Sequence, residues 1–192
     1  MIERINFGSP LLKNLKENGF LCIDMHFHSK YSDTFTKPKN IIKYAAKKEV
    51  GLAITDHNHI KGFIEAYKYN KGLNYNVPLL PGIELSTKQG PHLLLYFYNA
   101  SDAIDFYEKH IENAKARNPY MALRLTAEQI VERALGYNCV ISAAHPMSVS
   151  IWDFQNKINK GEIDKKIIRS IECVEVICGL ILRRMNIKAV KW

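Results

Sequence analysis

Short apolar runs alternate with amphipathic stretches along the chain from Gly19 onwards. The apolar runs predict strands, and the amphipathic stretches between them predict helices. Because strands that alternate with helices commonly pair through helical crossovers, the sequence predicts an α/β fold with a largely parallel sheet or barrel. The predicted strands are 20–24, 51–56, 77–86, 92–98, 139–144 and 171–178. The predicted helices are 38–48, 61–70, 101–117 and 126–136, a polar helical stretch that ends at 169, and a final stretch from 180. Gly51 lies just past the end of the first, a Ser-Asp cap opens the helix at 101, and TAEQ (126–129) is a capping signature.

The composition suits a single domain. The chain has 192 residues, of which 47% are apolar, and this is enough for one sizeable core. We expect residues 1–18 to form a helical lead-in and residues 19–192 to form the domain. The chain has no run of 18 apolar residues, and its start lacks the apolar stretch of a signal peptide. We therefore expect a cytoplasmic protein that does not bind a membrane.

The charge of the chain suits an anionic partner. Lysine and arginine number 27 against 19 aspartate and glutamate residues, which gives a formal net charge of +8. These basic residues are scattered through helical stretches such as 37–48 and 157–169 rather than gathered in one arm. The pattern favours a solvated surface over a nucleic-acid patch.

Two histidines lie close to an acid in the segment Asp24-Met25-His26-Phe27-His28. Residues two apart on a strand point the same way, so Asp24, His26 and His28 are predicted to share one face. Imidazole is the commonest transition-metal ligand, and a carboxylate beside it can join the metal or orient the ring. Two buried histidines with satisfied hydrogen bonds are the alternative, but the acid favours half of a metal site.

Other acids and histidines fall at the ends of predicted strands. Asp56 and His57 close the second strand, Glu84 lies near the end of the third, and His145 closes the fifth. The carboxyl ends of strands form the functional rim of parallel α/β folds. His92 opens a strand instead, but it follows Glu84 through a polar turn, so the returning strand should bring it beside Glu84.

Five histidines are therefore predicted to converge on one rim. Nitrogen and carboxylate ligands without a thiolate suit Zn, Mn or Fe, and the size of the set suits two or three divalent ions. Such ions commonly hydrolyse phosphate esters, because they lower the pKa of a bound water and clamp phosphate oxygens. Of the remaining histidines, His59 is interpreted as an exposed loop residue that could approach a substrate, and His110 as a structural residue of a helix. The converging set is His26, His28, His57, His92 and His145, with Asp24, Asp33, Asp56 and Glu84 as the available acids.

Four segments of the chain carry a family resemblance. They are DMHFHSKYSD (24–33), AITDHN (53–58), PGIE (81–84) and AAHP (143–146). In order and spacing they resemble the motifs of the PHP (polymerase and histidinol phosphatase) phosphoesterases. The resemblance implies a distorted (β/α)7 TIM-like barrel with a trinuclear metal site at its carboxyl rim.

The resemblance also implies a role for each matching residue. Glu84 would bridge two metal ions, and a third ion would lie nearby. The implied ligands are His26 and His28 for the first ion, His92 and His145 for the second, and Asp33 and His57 for the third, with Asp24 and Asp56 as supporting partners behind the ligands.

The C-terminal part of the chain departs from the family pattern. Family members close with an Asp-x-His motif on a last strand, and this chain has no such motif after the stretch 174–177, which resembles the penultimate strand. We therefore expect a barrel that lacks its last strand and helix, with an exposed sheet edge that further chain or a neighbouring chain would cover.

The leading interpretation is a phosphoric ester hydrolase that uses metal-activated hydroxide on a small phosphomonoester, such as a nucleotide or nucleoside bisphosphate. Trimming of nucleic acid from its 3′ end is an alternative that would need a basic track. A metal-binding module without catalysis is another, and protein ligands would close its site, whereas a catalytic site keeps open positions. The oligomeric state stays open. Phosphate contacts are expected from Lys30, Lys37, Arg117 and Arg124.

Overall fold

Six strands form one sheet in the part of the chain that the structure describes. This computed structural model describes residues 5–72, 76–118, 122–148, 150–179 and 182–191. The strands lie in sequential order across the sheet. They are β1 (Ile23–Phe27), β2 (Gly51–Ile54), β3 (Leu79–Ser86), β4 (His92–Phe97), β5 (Cys139–Ala143) and β6 (Cys173–Val174).

The sheet is mixed rather than largely parallel. The pairs β1–β2, β2–β3 and β5–β6 are parallel, whereas β4 runs antiparallel to both β3 and β5. A parallel connection needs a crossover of a dozen residues or more, and the short turn between Ser86 and His92 cannot supply one. The turn therefore produces a hairpin, in which Ser86 pairs with His92.

The helices largely follow the predicted positions. The helix predicted for 38–48 has those bounds in the structure. Its C-cap is Glu49, which has a left-handed backbone (φ 53°), and not Gly51. The Thr126 capping box with Gln129 is confirmed. The described helices are α1 (Leu12–Glu17), α2 (Pro38–Lys48), α3 (Lys61–Gly72), α4 (Ala100–Phe106), α5 (Ala127–Ala134), α6 (Phe154–Asn159) and α7 (Arg183–Ala189).

The single long helix predicted for 101–117 is wrong. α4 gives way to a π-helical turn at Tyr107–Ile111 and then to a 3₁₀ turn at Glu112–Ala114. The cap is Asn99, whose side chain accepts the Asp102 N–H at 2.8 Å, and not the predicted Ser-Asp pair. π turns are rare and are often found near functional sites.

The core lies mainly between the sheet and the helices. One cluster joins β3 and β4 to α4, α5 and α6 through fully buried side chains such as Leu93, Leu95 and Phe106. A second cluster packs α2 against β2 through Ile42 and Ile54. Each fully buried Leu, Ile or Phe contributes about 1.5–3 kcal/mol relative to an exposed one. These contacts fix the strands whose ends carry the predicted site.

The sheet curls around a cavity of about 1220 Å³. Its walls include Met25 of β1 and Val174 of β6, which are the two edge strands of the sheet. Because both edges face one cavity, the sheet forms an incomplete barrel with an opening between β1 and β6. The described residues form six strands, so the seven-unit count that the resemblance implies stays a prediction. No described helix has both the length and the apolarity needed to cross a bilayer.

Candidate metal centre

Glu84 lies at the centre of the converging histidines. It is fully buried on β3, and its two carboxylate oxygens face different imidazoles. Oε2 lies 3.1 Å from His26 Nε2, 3.2 Å from His28 Nε2 and 3.2 Å from His57 Nδ1. Oε1 lies 3.0 Å from His92 Nδ1 and 3.3 Å from His145 Nε2. Burial raises the pKa of Glu84, but the neighbouring histidines, His57 and His92 foremost, outweigh burial and hold the pKa well below its usual value.

The carboxyl end of β1 supplies the first pair of rings. His26 Nε2 and His28 Nε2 lie 2.9 Å apart. The register of β1 against β2 shifts between Asp24 and Phe27, where one extra residue in β1 interrupts the alternation. Asp24 is exposed, and its Oδ1 accepts the backbone N–H of His26 at 3.2 Å. The Asp24 carboxylate therefore contacts the backbone of His26, and a different acid contacts the His26 ring.

That acid is Glu175, which sequence reasoning missed. Its Oε1 lies 3.1 Å from His26 Nδ1, and its Oε2 accepts the His145 N–H at 2.8 Å. Glu175 directly follows Val174, the last residue of β6, so the rule of acids at strand ends would have found it. The predicted strand 171–178 instead placed Glu175 in mid-strand and concealed the signal.

His92 and His145 complete the far side of the centre. His92 opens β4 beside Glu84, as the turn argument placed it. His145 follows β5 with a φ of 30°, a left-handed backbone that is uncommon for a residue other than glycine. The Glu175 carboxylate that accepts its N–H helps to hold this conformation. Strained residues of this kind are concentrated at functional sites.

Asp33 and His57 form a third group with His28. Asp33 Oδ1 lies 3.0 Å from His28 Nδ1, and Asp33 Oδ2 lies 3.8 Å from His57 Nε2. The Asp33 side chain is 53% exposed, so this group is the one that opens most to solvent.

Asp56 fixes the loop that carries Asp33. Its carboxylate is buried and accepts the Ser29 N–H at 2.6 Å, the Ser29 hydroxyl at 2.7 Å and the Ser32 hydroxyl at 3.0 Å. Burial raises the pKa of Asp56, although these donors oppose the increase. Asp56 thus supports the rim from behind without facing the central carboxylate.

The imidazoles do not share one protonation behaviour. Burial lowers the pKa of His26, but Glu175 and Glu84 outweigh burial and raise it to about 10. Burial lowers the pKa of His57 to about 4; Glu84 opposes this decrease, whereas His92 and His28 act in the same direction as burial. One site therefore contains a ring that favours a proton and a ring that rejects one.

The residues present fit divalent metal ions. Glu84 Oε2 lies near three imidazole nitrogens, yet it is buried without a hydrogen bond of acceptable geometry. Two imidazole nitrogens also face each other at 2.9 Å. Converging lone pairs of nitrogen and carboxylate oxygen, with no thiolate, are typical of Zn, Mn and Fe sites. The groups whose ligand atoms lie within 4.8 Å of one another are His26–His28–Glu84, His28–Asp33–His57 and His57–Glu84–His92.

The four predicted phosphate contacts lie away from the cavity wall. Lys30 pairs with Glu65 at 3.1 Å, and Arg124 donates to the Asn113 carbonyl at 2.7 Å. Lys37 and Arg117 are exposed. The described lining of the cavity contains no lysine or arginine.

The two remaining histidines differ in outcome. The interpretation of His59 as exposed is wrong, because its ring is half-buried and stacks on Tyr107 with 5.5 Å between centroids. Burial lowers the pKa of His59 to about 4, and Lys115 and Lys61 lower it further. The structural interpretation of His110 agrees with its contacts, a hydrogen bond to the Tyr137 hydroxyl at 3.2 Å and packing on Phe106.

Comparison with models of known families assigns the chain to a family. The family model described as the PHP domain matches residues 24–181, which include all the residues of the centre. The chain belongs to the PHP domain family. This PHP domain also has relatives of recorded activity and solved structures of similar fold.

Two curated relatives share short regions with this PHP domain. An uncharacterised protein of Methanocaldococcus jannaschii is 36% identical over 85 residues, which cover 38% of this chain. A 3′,5′-nucleoside bisphosphate phosphatase of Chromobacterium violaceum is 38% identical over 71 residues, which cover 36% of this chain. The chain spans 48% of the first relative and 24% of the second.

Solved structures confirm the fold of this PHP domain. A structure described as a metal-dependent phosphoesterase from Bifidobacterium adolescentis has a TM-score of 0.60 at 16% identity, with coverage of 89% of this chain and 82% of that one. A lesion-specific endonuclease, EndoQ, from Pyrococcus furiosus has a TM-score of 0.52 at 26% identity, with coverage of 69% and 36%.

Proposed function

We propose that this PHP domain is a metal-dependent phosphoesterase that hydrolyses a small phosphomonoester, with nucleotides or nucleoside bisphosphates as the substrate class. The observation that carries the proposal is the placement of Glu84, whose two oxygens face separate sets of histidines at 3.0–3.3 Å. A carboxylate with one oxygen for each set suits a bridge between two metal ions. The phosphatase activity of the Chromobacterium violaceum relative supports the substrate class.

We assign the ligands by the two sides of the Glu84 carboxylate. His26 and His28 would hold one ion on the Oε2 side, and His92 and His145 a second on the Oε1 side. Asp33 and His57, with His28, would hold a third ion at the exposed edge. Divalent ions in these positions would supply an activated water and neutralise phosphate charge. Two ions with the shared carboxylate are the minimum that the proposal needs.

The remaining residues of the centre act by position. Glu175 orients the His26 ring through Nδ1 and fixes the backbone of His145. It therefore keeps two candidate ligands from different parts of the sheet in fixed relative positions. Asp56 holds the Ser29–Ser32 segment and thereby sets the place of Asp33. The apolar walls of the cavity, which include Leu80 and Val140, limit the water that reaches the substrate.

The charge of the cavity supports a metal-dependent reaction. A phosphomonoester carries close to two negative charges at neutral pH, and the described lining offers no lysine or arginine to balance them. The lining does contain the acids Glu84, Glu175, Asp33 and Asp24. Bound cations would therefore supply positive charge that favours a phosphate in this cavity.

Metal content and turnover test the proposal together. Elemental analysis of the purified protein should show two or more divalent ions per chain, and a manganese-stimulated assay should show hydrolysis of p-nitrophenyl phosphate and of a nucleotide. Glu84→Ala and His92→Ala should lose at least one ion and at least about 100-fold in kcat/KM, because the bridging site is broken. His110→Ala is the matched histidine control and should keep both the metal content and the kcat/KM of the wild type.

Two results would separate this function from its competitors. Metal without turnover would instead support a non-catalytic metal-binding module. The likeness to EndoQ favours nucleic-acid hydrolysis as the second candidate. That function would require tight DNA binding, with a binding constant whose logarithm falls steeply as the logarithm of the salt concentration rises. A flat salt dependence would exclude that candidate.

A further inference from the structure

One tyrosine side chain crosses the interior of the curled sheet. Tyr96 lies on β4 and lines the cavity, and its hydroxyl donates to the Met25 carbonyl of β1 at 2.9 Å. β2 and β3 lie between these two strands in the sheet, so the hydrogen bond joins strands that do not pair with each other. It therefore holds the β1 edge at a fixed distance from β4 and limits how far the sheet can open.

The residues around Tyr96 leave room for its ring. Gly82 lies opposite Tyr96 in the β3–β4 ladder, and a Cβ at Gly82 would lie 3.5 Å from Tyr96 Cδ1 and 2.9 Å from Thr55 Cγ2. Two small residues, Ala53 and Ala144, are fully buried in the same cluster as Tyr96. The large ring among small neighbours is itself buried, so its hydroxyl has a defined direction.

The carbonyl that accepts this hydrogen bond belongs to the peptide group that leads into His26. The N–H of the same peptide, which is the His26 N–H, donates to Asp24 Oδ1 at 3.2 Å. The Met25–His26 peptide is therefore held on both sides, by Tyr96 and by Asp24. It lies where the register of β1 against β2 shifts, so the ladder alone does not fix its orientation.

The orientation of this peptide sets the position of the His26 ring. The plane of a peptide group determines φ of the residue that follows, and φ determines the direction in which the side chain leaves the backbone. His26 Nε2 lies 3.1 Å from Glu84 Oε2, and His26 Nδ1 lies 3.1 Å from Glu175 Oε1. Because these contacts are short, a small change of direction at the backbone would break both.

β4 carries the candidate ligand His92 as well as Tyr96. Residues an even number apart on a strand share a face, and both of these residues line the cavity. The Tyr96 hydroxyl thus joins the strand of His92 to the strand of His26, and Glu84 lies between them on β3. The spacing of the histidines on the two sides of the Glu84 carboxylate therefore depends on this hydrogen bond.

We propose that Tyr96 is a positioning residue for the metal centre and sets the place of His26 through the Met25 carbonyl. This role deepens the proposed function and rests on it, because the metal ions are part of that proposal. Without the Tyr96 hydroxyl, the Met25–His26 peptide loses one of its two supports, and the β1 side of the centre loses its fixed geometry. The ligands on the Oε1 side of Glu84 keep theirs.

Metal titration tests this role without any need for turnover. Tyr96→Phe removes the hydroxyl and keeps the ring. Calorimetric titration with Zn or Mn should show one binding step at least about tenfold weaker than in the wild type, with the other steps unchanged. The matched control is Tyr137→Phe, because the Tyr137 hydroxyl donates to Asp105 at 2.8 Å and lies outside the described lining of the cavity. This control should bind metal as the wild type does.

Urea unfolding separates positioning from a general loss of stability. Each of the two variants loses a hydroxyl hydrogen bond, so both should unfold at a lower urea concentration than the wild type. Only Tyr96→Phe should also lose metal affinity. The positioning role would be overturned if Tyr96→Phe bound every ion as tightly as the wild type, or if Tyr137→Phe lost the same binding step.

A second test uses metal-free protein and does not depend on the proposed function. In NMR spectra of the imidazole rings, Tyr96→Phe should change the signals of His26 and leave those of His110 unchanged. Unchanged His26 signals would overturn the positioning role even in a protein that binds metal. Changed His26 signals in a protein that binds no metal would reject the proposed function alone.

Asp24 provides a further pair of variants at an exposed position, in case Tyr96→Phe fails to fold. Asp24→Ala frees the other side of the same peptide and should weaken the same binding step. Asp24→Asn keeps an acceptor oxygen for the His26 N–H and should restore most of the affinity. Wild-type affinity in Asp24→Ala, or equal losses in the two variants, would show that this peptide does not position the His26 ring.

Discussion

At the residue scale, Glu175 contributes to the centre through position. Glu175→Gln should lower metal affinity about 10- to 100-fold, because the amide holds the His26 ring less firmly than a carboxylate does and weakens its contact with His145. Calorimetric titration of the metal-free protein with Zn or Mn measures this change in metal affinity. Glu172→Gln is the matched control, since Glu172 lies nearby and its carboxylate accepts the Ile141 N–H at 3.1 Å instead of contacting a histidine of the centre among the described residues. Equal affinities in the two variants would contradict this role.

Gly62 occupies a position that no larger residue fits. An added Cβ would overlap with Asp56 Oδ2 and lie 2.6 Å from Ser29 Oγ, inside the network that fixes the rim loop. Gly62→Ala should therefore destabilise the protein by about 2 kcal/mol, the usual cost of overpacking. Urea unfolding provides the measurement. Gly72 lies in the same helix, and no atom of the described residues lies within 4 Å of its added Cβ, so Gly72→Ala should be neutral or slightly stabilising.

At the element scale, Glu128 joins α5 to two neighbouring segments. Its carboxylate accepts the Asp164 N–H at 2.8 Å and the Gln89 amide at 2.9 Å. Burial raises the pKa of Glu128, but these hydrogen bonds outweigh burial and lower it. A lowered folded-state pKa contributes stability that is present above the unfolded value of 4.5 and is lost as the pH falls through the folded value.

Glu128→Gln should thus be less stable than wild type by about 1 kcal/mol at pH 7, a modest figure because water screens this partly exposed group. The difference should shrink as the pH falls below 4.5 and towards the lower folded pKa. Urea midpoints across pH 3–7 would show this trend. Glu132→Gln is the control, an exposed glutamate on the same helix. A difference that stayed constant with pH would show that the charge of Glu128 is not involved.

The elements show which features the sequence could predict. Pro38–Lys48 and the Thr126 capping box were predicted because their signals are local to the helix. The shortened β6 and the π turn at Tyr107 were not, because strand pairing and helix winding depend on tertiary contacts. The convergence of the five histidines followed from strand-end positions, whereas the contact between Glu175 and His26 joins residues 149 apart and depends on how far the sheet curls.

At the scale of the whole molecule, metal ions would connect most of the sheet. The candidate ligands come from β1, β3 and β4 and from the segments after β1, β2 and β5, so a bound ion opposes separation of these strands. Saturating metal at 100 times its dissociation constant should stabilise the fold by about 2.7 kcal/mol per site. For a domain of this size, the midpoint temperature of thermal unfolding should then rise by at least about 5 °C.

Differential scanning calorimetry with added Mn, and again with a chelator, measures this shift. His110→Ala should retain the whole increase, and Glu84→Ala should lose most of it. An equal increase in all three proteins would mean that the ions bind elsewhere.

The acidic lining of the cavity also links the binding of substrate to the binding of metal. The described lining has four carboxylates and no lysine or arginine, so bound metal ions would add most of the positive charge that a phosphate meets there. Under the proposed function, the affinity for substrate would rise with metal occupancy, and bound substrate would in turn favour retention of the metal. The availability of divalent metal would then set how much of the domain is active.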